Sequence, residues 1–328
     1  MKILFVWAVN DELKEYFRRE LEDIAELIFP PSREIEDILP LVGDVDIIVG
    51  WAVQEELLNA ARTTKLLIIP AIGVDFHIET LKKFPNIEVC NSHGNAEPTA
   101  QHAVALLLSI TNRIVLYDQR MRRGHWRAFS EKPPSLLTDD LTIGVLGTGT
   151  IGRHFMRLMS GFNVNFVACS RRGRPVEEFP NLKVYTSKEI DGFLHQSNVL
   201  LVAIPRTKIS DGMIGKTEIE MLPDDPILIN VARGSIVQEE SLYQALKSRR
   251  IAWAGLDVWY DYRPVEAGDG KRFPYHYPFH ELENVVLSPH RGGSPLTRPK
   301  RFEDIVDNIH RYHRGEPLRF QIDTERGY

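Results

Sequence analysis

The sequence predicts an α/β protein built from two doubly wound parallel-sheet domains. Strand-like and helix-like stretches alternate from residue 2 to residue 90, a second alternating series begins at Leu141, and 328 residues exceed what one core usually serves. A hydrophobic fraction of 43% and a charged fraction of 26% are ordinary for a soluble chain and leave apolar material for two cores.

The first strand is expected from Ile3 to Val9. MKILFVWAVNDELKEYF passes from this short apolar run directly into an acidic amphipathic stretch, so it reads as a strand and helix rather than a secretory leader. Further strands are expected at Asp46 to Val49, Leu66 to Pro70 and Ile87 to Cys90, with helices at Asp11 to Leu21 and Gln54 to Ala61 between them. The next stretch, EPTAQHAVALLLSITNRIVLYDQRMRRGHW, stays apolar for longer than one helix face requires and predicts one buried connecting helix over 98–127.

The second series runs through LTIGVLG, VNFVACS, LKVYT, NVLLVAIP, PILINVA, AWAGLDV and NVVLSPH, each short enough for a strand and rich in β-branched residues. Residues 262–282 carry several prolines without periodicity and predict a long loop, of the kind that is functional or mobile. After Pro299, the residues Phe302, Ile305, Val306, Ile309 and Tyr312 recur at helical spacing, and Gly315 supplies a stop. These elements divide the chain into 1–96 plus 295–328 and a middle domain, 97–294.

A net charge of -5 gives no global attraction to nucleic acid or to anionic lipid, so any phosphate must be held by a local cluster of arginines. Cys90 and Cys169 both lie in strand-like runs and read as buried free thiols; the histidines lack metal-ligand spacing, so no metal is expected. With no apolar run near the roughly 20 residues that span a bilayer, a cytoplasmic protein without a membrane partner is expected.

The strongest local signal is IGVLGTGTIGRHF. Gly147, Gly149 and Gly152 form GxGxxG after a strand and at the opening of a helix. The first glycine permits the tight turn, the second lets the backbone approach a pyrophosphate, and the third lets helix and strand pack closely. The motif therefore predicts a dinucleotide on the backbone of Gly147, Gly149, Thr150, Ile151 and Gly152. About 20 residues further on, where an acid normally accepts the ribose hydroxyls of NAD, the chain has Ser170 followed by Arg171, Arg172 and Arg174. A serine and arginines suit a 2′-phosphate that an aspartate would repel, so NADP(H) is expected over NAD(H).

NVARGSIV at 230–237, AGLDVW at 254–259 and LSPHRGG at 287–293, following TGTIG, resemble the D-isomer-specific 2-hydroxyacid dehydrogenases in order and spacing. IGVD at 72–75 and GNAEPTAQHAVALLL at 94–108 are similar to that family's substrate loop and interdomain helix. The resemblance implies a flavodoxin-like substrate domain, a Rossmann cofactor domain and a homodimer joined through the latter. It implies Arg233 as the substrate clamp and His290 as acid or base. The amides of Ile72 and Gly73 would bind the substrate carboxylate, Asp257 would hold the carboxamide or the site geometry, and Pro205, Thr207, Val231 and Ala232 would line the cofactor.

Chemistry supports the two central types independently. A guanidinium fork can engage a carboxylate while polarising the neighbouring carbonyl. A histidine can deliver the proton that the nascent alkoxide needs near neutral pH. The expected activity is hydride transfer between NADP(H) and a small 2-oxo or 2-hydroxy acid, with glyoxylate or hydroxypyruvate reduction leading. A formate- or phosphite-type dehydrogenase and a non-catalytic NADP(H)-sensing protein are the alternatives.

One departure concerns the histidine's partner. The family's glutamate, five residues past the aspartate of the AGLDVW-type motif, is replaced by Tyr262. Asp261 stands beside it as a possible substitute carboxylate. Arg291 is a second departure, either extending the positive surface or turning outward.

Overall fold

The computed structural model describes all residues except 52, 127–132, 137, 140, 267, 268 and 295–298. The chain divides into two compact units, Met1–Ala96 with Pro295–Tyr328, and Glu97–Ser294. Each contains a fully parallel sheet, so the expected fold class of two parallel-sheet α/β domains is borne out.

In the first unit, β1 (Lys2–Phe5), β2 (Glu26–Ile28), β3 (Ile47–Val49), β4 (Leu66–Ile69) and β5 (Glu88–Asn91) are ordered β2-β1-β3-β4-β5. Helix Asp11–Leu21 is capped by Asn10, whose side chain accepts the Leu13 N–H at 2.9 Å, and acidic residues open it while arginines close it. Its buried face, Leu13, Tyr16, Phe17 and Leu21, packs with β1 and with Phe302, Ile305 and Ile309. Phe17 packs at a tilt against Phe5 with centroids 4.5 Å apart and meets Phe302 edge-on at 5.7 Å. Burying each such ring contributes about 2–3 kcal/mol, which is what docks helix Glu303–Arg314 on this unit. That helix ends at Gly315 with φ +66°, as the sequence predicts. The tail then runs beside β5, where Asn91 N–H donates to the Phe320 carbonyl and Ile322 N–H to Val89, so the edge is covered.

In the second unit, β6 (Thr142–Leu146), β7 (Asn165–Ser170), β8 (Lys183–Thr186), β9 (Val199–Val202), β10 (Ile227–Asn230), β11 (Trp253–Leu256) and β12 (Val285–Leu287) are ordered β12-β11-β10-β9-β6-β7-β8. The order reverses between β6 and β9, and ligands of such sheets bind beyond the carboxyl ends of the strands at that switch.

The single connecting helix expected over 98–127 is two helices, Ala96–Thr111 and Ile114–Arg122. Arg113 breaks it with φ +57°. The guanidinium lies 4.3 Å from the Trp253 ring centroid and donates to the carbonyls of Ile110 at 2.8 Å and Pro134 at 3.1 Å. These contacts offset the cost of a left-handed non-glycine residue, on the order of 1 kcal/mol or more. Residue 127 lies outside the described residues.

The 262–282 loop is anchored where it is described: Phe279 is fully buried, with Tyr275 and Tyr277 packed around it. Cys90 and Cys169 are buried free thiols, and burial pushes them up to about 12 and about 11. No helix among the described residues is long and apolar enough to cross a membrane.

Candidate active site

The glycine loop leaves the carboxyl end of β6 at the switch point. Gly147 has φ +112°, and a Cβ there would lie 2.4 Å from the Ala203 carbonyl oxygen, so the turn passes hard against the end of β9. A Cβ on Gly152 would strike the Gly147 oxygen at 2.1 Å. Gly149 differs, since a Cβ there meets nothing within 4 Å. The protein's own packing does not demand a glycine at 149, whereas close approach of a ligand would. Gly149 is also the N-cap of helix Thr150–Met159, and no side chain caps that end. Thr150 and Ile151 follow in the first turn, so the backbone here fits a pyrophosphate.

Beyond Ser170 at the end of β7, the chain turns through Gly173 at φ +60°. Arg171 and Arg172 are exposed on this turn, and Arg172 forms an antiparallel bridge with Thr186. Two side chains that could grip a phosphate thus stand on a loop held to β8.

The loop after β9 is tied by Ser210, whose hydroxyl donates to the Pro205 carbonyl at 2.7 Å and accepts the Thr207 N–H at 2.8 Å. After β10, the buried side chain of Asn230 shapes the next three residues. Its Oδ1 accepts the Ala232 N–H at 3.1 Å and its Nδ2 donates to the Arg233 carbonyl at 2.9 Å, with Val231 buried between. Arg233 is extended and half-buried, and one guanidinium nitrogen donates to the Ala232 carbonyl at 2.8 Å. A Cβ on Gly234 would lie 2.3 Å from the Trp259 carbonyl oxygen, so this turn is packed onto the segment that follows β11.

Asp257 follows β11 and is 1% exposed. Its Oδ1 accepts the Ser288 hydroxyl and the Arg291 N–H at 2.7 Å, and its Oδ2 accepts the Gly292 N–H at 2.8 Å. His102 Nε2 stands 3.3 Å from Oδ1 and 2.8 Å from Ser288 Oγ. Burial alone would raise the carboxyl's pKa, but these hydrogen bonds outweigh it and hold Asp257 below the usual carboxylate range. The two amides that Asp257 binds directly follow His290, which follows β12 and has φ +55°. Asp257 thus clamps the turn that carries the histidine.

The Tyr262 ring meets His290 edge-on with centroids 5.4 Å apart. Its hydroxyl accepts the Trp259 N–H at 3.3 Å. The Asp261 carboxylate accepts the Arg263 N–H at 2.8 Å, closing its own turn. The Arg291 side chain is exposed, and it is the backbone of this residue that Asp257 holds.

Within this unit the sheet therefore brings Gly147, Ser170, Pro205, Arg233, Asp257 and His290 to the carboxyl ends of β6, β7, β9, β10, β11 and β12. In the first unit, Ile72 and Gly73 lie in the loop after β4, where Asn91 Nδ2 donates to the Ile72 carbonyl at 2.6 Å. Trp51 packs edge-on against Trp7 at 5.1 Å. Sequence alone gave no role to Ser288 or His102 beyond the absence of metal-ligand spacing among the histidines; only the LSPH tetrapeptide, which holds Ser288, gave a signal. Among the described residues no group of three or more His, Cys, Asp and Glu could hold a metal ion.

The family model of the D-isomer specific 2-hydroxyacid dehydrogenase NAD-binding domain matches residues 104–292. The chain belongs to this family. A 2-hydroxyacid dehydrogenase is an oxidoreductase, and this chain is 30% identical to a glyoxylate reductase of Korarchaeum cryptofilum over 93% of its own length and 89% of the relative's. The fold matches a dehydrogenase of the same family from Xanthobacter autotrophicus Py2, in complex with NADPH and MES, with a TM-score of 0.82, 24% identity and coverage of 100% and 99% of the two chains. It also matches an NADPH-dependent glyoxylate/hydroxypyruvate reductase from Sinorhizobium meliloti, with a TM-score of 0.79, 21% identity and the same coverage.

Proposed function

We propose that this 2-hydroxyacid dehydrogenase reduces a small 2-oxo acid, glyoxylate or hydroxypyruvate, and uses NADPH in preference to NADH. The observation that carries the reading is the placement of Arg233, Asp257 and His290 beyond three adjacent strands, in the same sheet that bears the glycine loop. A bound reduced nicotinamide supplies the hydride. Arg233 holds the substrate carboxylate and polarises the C2 carbonyl, and His290 delivers the proton to the oxygen as charge builds on it. Val231, Ala232, Pro205 and Thr207 line the cofactor.

Ser170, Arg171 and Arg172 support NADPH, since a serine hydroxyl and two guanidinium groups bind a 2′-phosphate where a carboxylate would repel it. Two structural neighbours, one in complex with NADPH and one NADPH-dependent, agree with that choice. The glyoxylate reductase name of a 30% identical relative supports the substrate class.

In the assembly we infer a homodimer through the cofactor unit. Ile114, Met121 and Trp126 are 57%, 52% and 72% exposed along one basic helix and its end, a surface that a second copy would cover. The two buried free thiols support a reducing, cytoplasmic setting.

The test is a steady-state comparison of NADPH with NADH across glyoxylate, hydroxypyruvate, pyruvate and bulkier 2-oxo acids. The reading expects the two smallest hydroxylated or unsubstituted acids to have the highest kcat/KM, with NADPH. Turnover only with bulky acids, or only with NADH, contradicts it.

A further inference from the structure

We propose that His102 is a positioning residue for the reaction, acting through Ser288 and Asp257 on the turn that carries His290. The proposal rests on the reading above, in which His290 delivers the proton.

The hydrogen-bond arithmetic decides the arrangement. Ser288 donates its one hydroxyl proton to Asp257 Oδ1, so its oxygen can only accept from a further partner. His102 Nε2, 2.8 Å from that oxygen and 3.3 Å from Asp257 Oδ1, must therefore carry the proton and share it between the two. Asp257 in turn spends its remaining acceptor capacity on the Arg291 and Gly292 amides. The Trp259 indole N–H donates to the Ser288 carbonyl at 2.8 Å and holds the same segment from the other side.

The side chains of Asp257, Ser288 and Trp259 are more than nine-tenths buried, and that of His102 is 26% exposed. Four donors orient the Asp257 carboxylate, and His102 is the one that reaches both its Oδ1 and the Ser288 oxygen. Removing His102 leaves the Ser288 oxygen short of a donor and takes one of the four donors from Asp257, which loosens its hold on the turn. The turn it clamps contains His290 in the left-handed region, a conformation that a non-glycine residue abandons readily once the clamp loosens. Proton delivery is sensitive to displacements of about 1 Å, so the consequence falls on the chemical step. The cofactor loop is built from other residues, Gly147 to Gly152.

The experiment compares wild type, His102→Ala and His102→Gln, the last because a glutamine amide can place a donor near the position of Nε2. It reads kcat with the best 2-oxo acid, the Kd of NADPH by protein fluorescence, and amide hydrogen exchange of the segment spanning residues 287–293. His102→Ala should lower kcat by about 10–100-fold, leave the Kd within about twofold, and speed exchange at Arg291 and Gly292. His102→Gln should recover most of both effects. Unchanged kcat in His102→Ala, a loss that glutamine does not restore, or a Kd that weakens in parallel with kcat overturns the proposal. If the wild type reduces no 2-oxo acid, the substrate reading fails separately. The exchange measurement then decides alone, with unaltered exchange in His102→Ala overturning the clamp and faster exchange supporting it.

Discussion

The Gly292 N–H reaches Asp257 Oδ2 at 2.8 Å, and a Cβ on residue 292 would stand at that same 2.8 Å from the same oxygen. The turn behind His290 is therefore closed onto a carboxylate so tightly that no side chain fits between them.

Gly292→Ala should force the turn away from Asp257. The carboxylate is pinned by its other donors and the Thr99 methyl lies 3.4 Å from the added carbon, so neither side can yield cheaply. A loss of about 1–3 kcal/mol in urea unfolding is expected, with a fall in kcat exceeding any rise in the Kd of NADPH. Wild-type stability and kcat in this variant would contradict the clamp.

Asp257→Asn replaces one acceptor oxygen with a donor that must face an N–H or hydroxyl already donating. The expected cost is about 2–4 kcal/mol at neutral pH. The pH dependence has a definite sign. Asp257 is held below its unfolded value near 3.9, so its contribution is present above that pH and is lost as pH falls through the depressed folded value. The stability gap between wild type and Asp257→Asn should accordingly narrow as pH falls below about 4. A gap constant down to the acid transition would show that the charge of Asp257 does not contribute.

Cofactor choice should reside in the turn after β7. Arg171→Ala with Arg172→Ala should raise the KM for NADPH by about 10-fold or more while leaving that for NADH within about twofold. Ser170→Asp should lower the NADPH to NADH ratio of kcat/KM further, because the carboxylate repels the 2′-phosphate. High salt should weaken NADPH more than NADH in the wild type. Equal effects on the two cofactors would place the selectivity elsewhere.

The fold was legible in the sequence because both domains are built from short apolar strands and punctuating glycines, which are local signals. LTIGVLG and its GxGxxG show both the strand and the reason for its turn, and the helix at Glu303–Arg314 announced itself by spacing and by Gly315. The break at Arg113 was not legible. Its causes, the Trp253 ring and the Pro134 carbonyl, are distant in sequence, and an arginine carries no intrinsic preference for a left-handed backbone.

The candidate site divides in the same way. Arg233 and His290 stand in recognisable motifs. The bonds that orient His290 join residues 102, 257, 288, 291 and 292, which only the sheet brings together. Tyr262, where the family resemblance implies a glutamate, was visible in the sequence, but its edge-on contact with His290 was not, since it depends on how the chain leaves β11.

The most direct test of the account is pre-steady-state oxidation of NADPH by glyoxylate in wild type, Arg233→Ala and His290→Ala, with NADPH affinity measured on the same samples. The account predicts rapid oxidation by the wild type, a loss of about 10²–10⁴-fold in His290→Ala, a comparable loss in Arg233→Ala accompanied by weakened glyoxylate binding, and near-normal NADPH affinity in both. Oxidation at wild-type rates in either variant would contradict the assignment of the proton donor or of the substrate clamp.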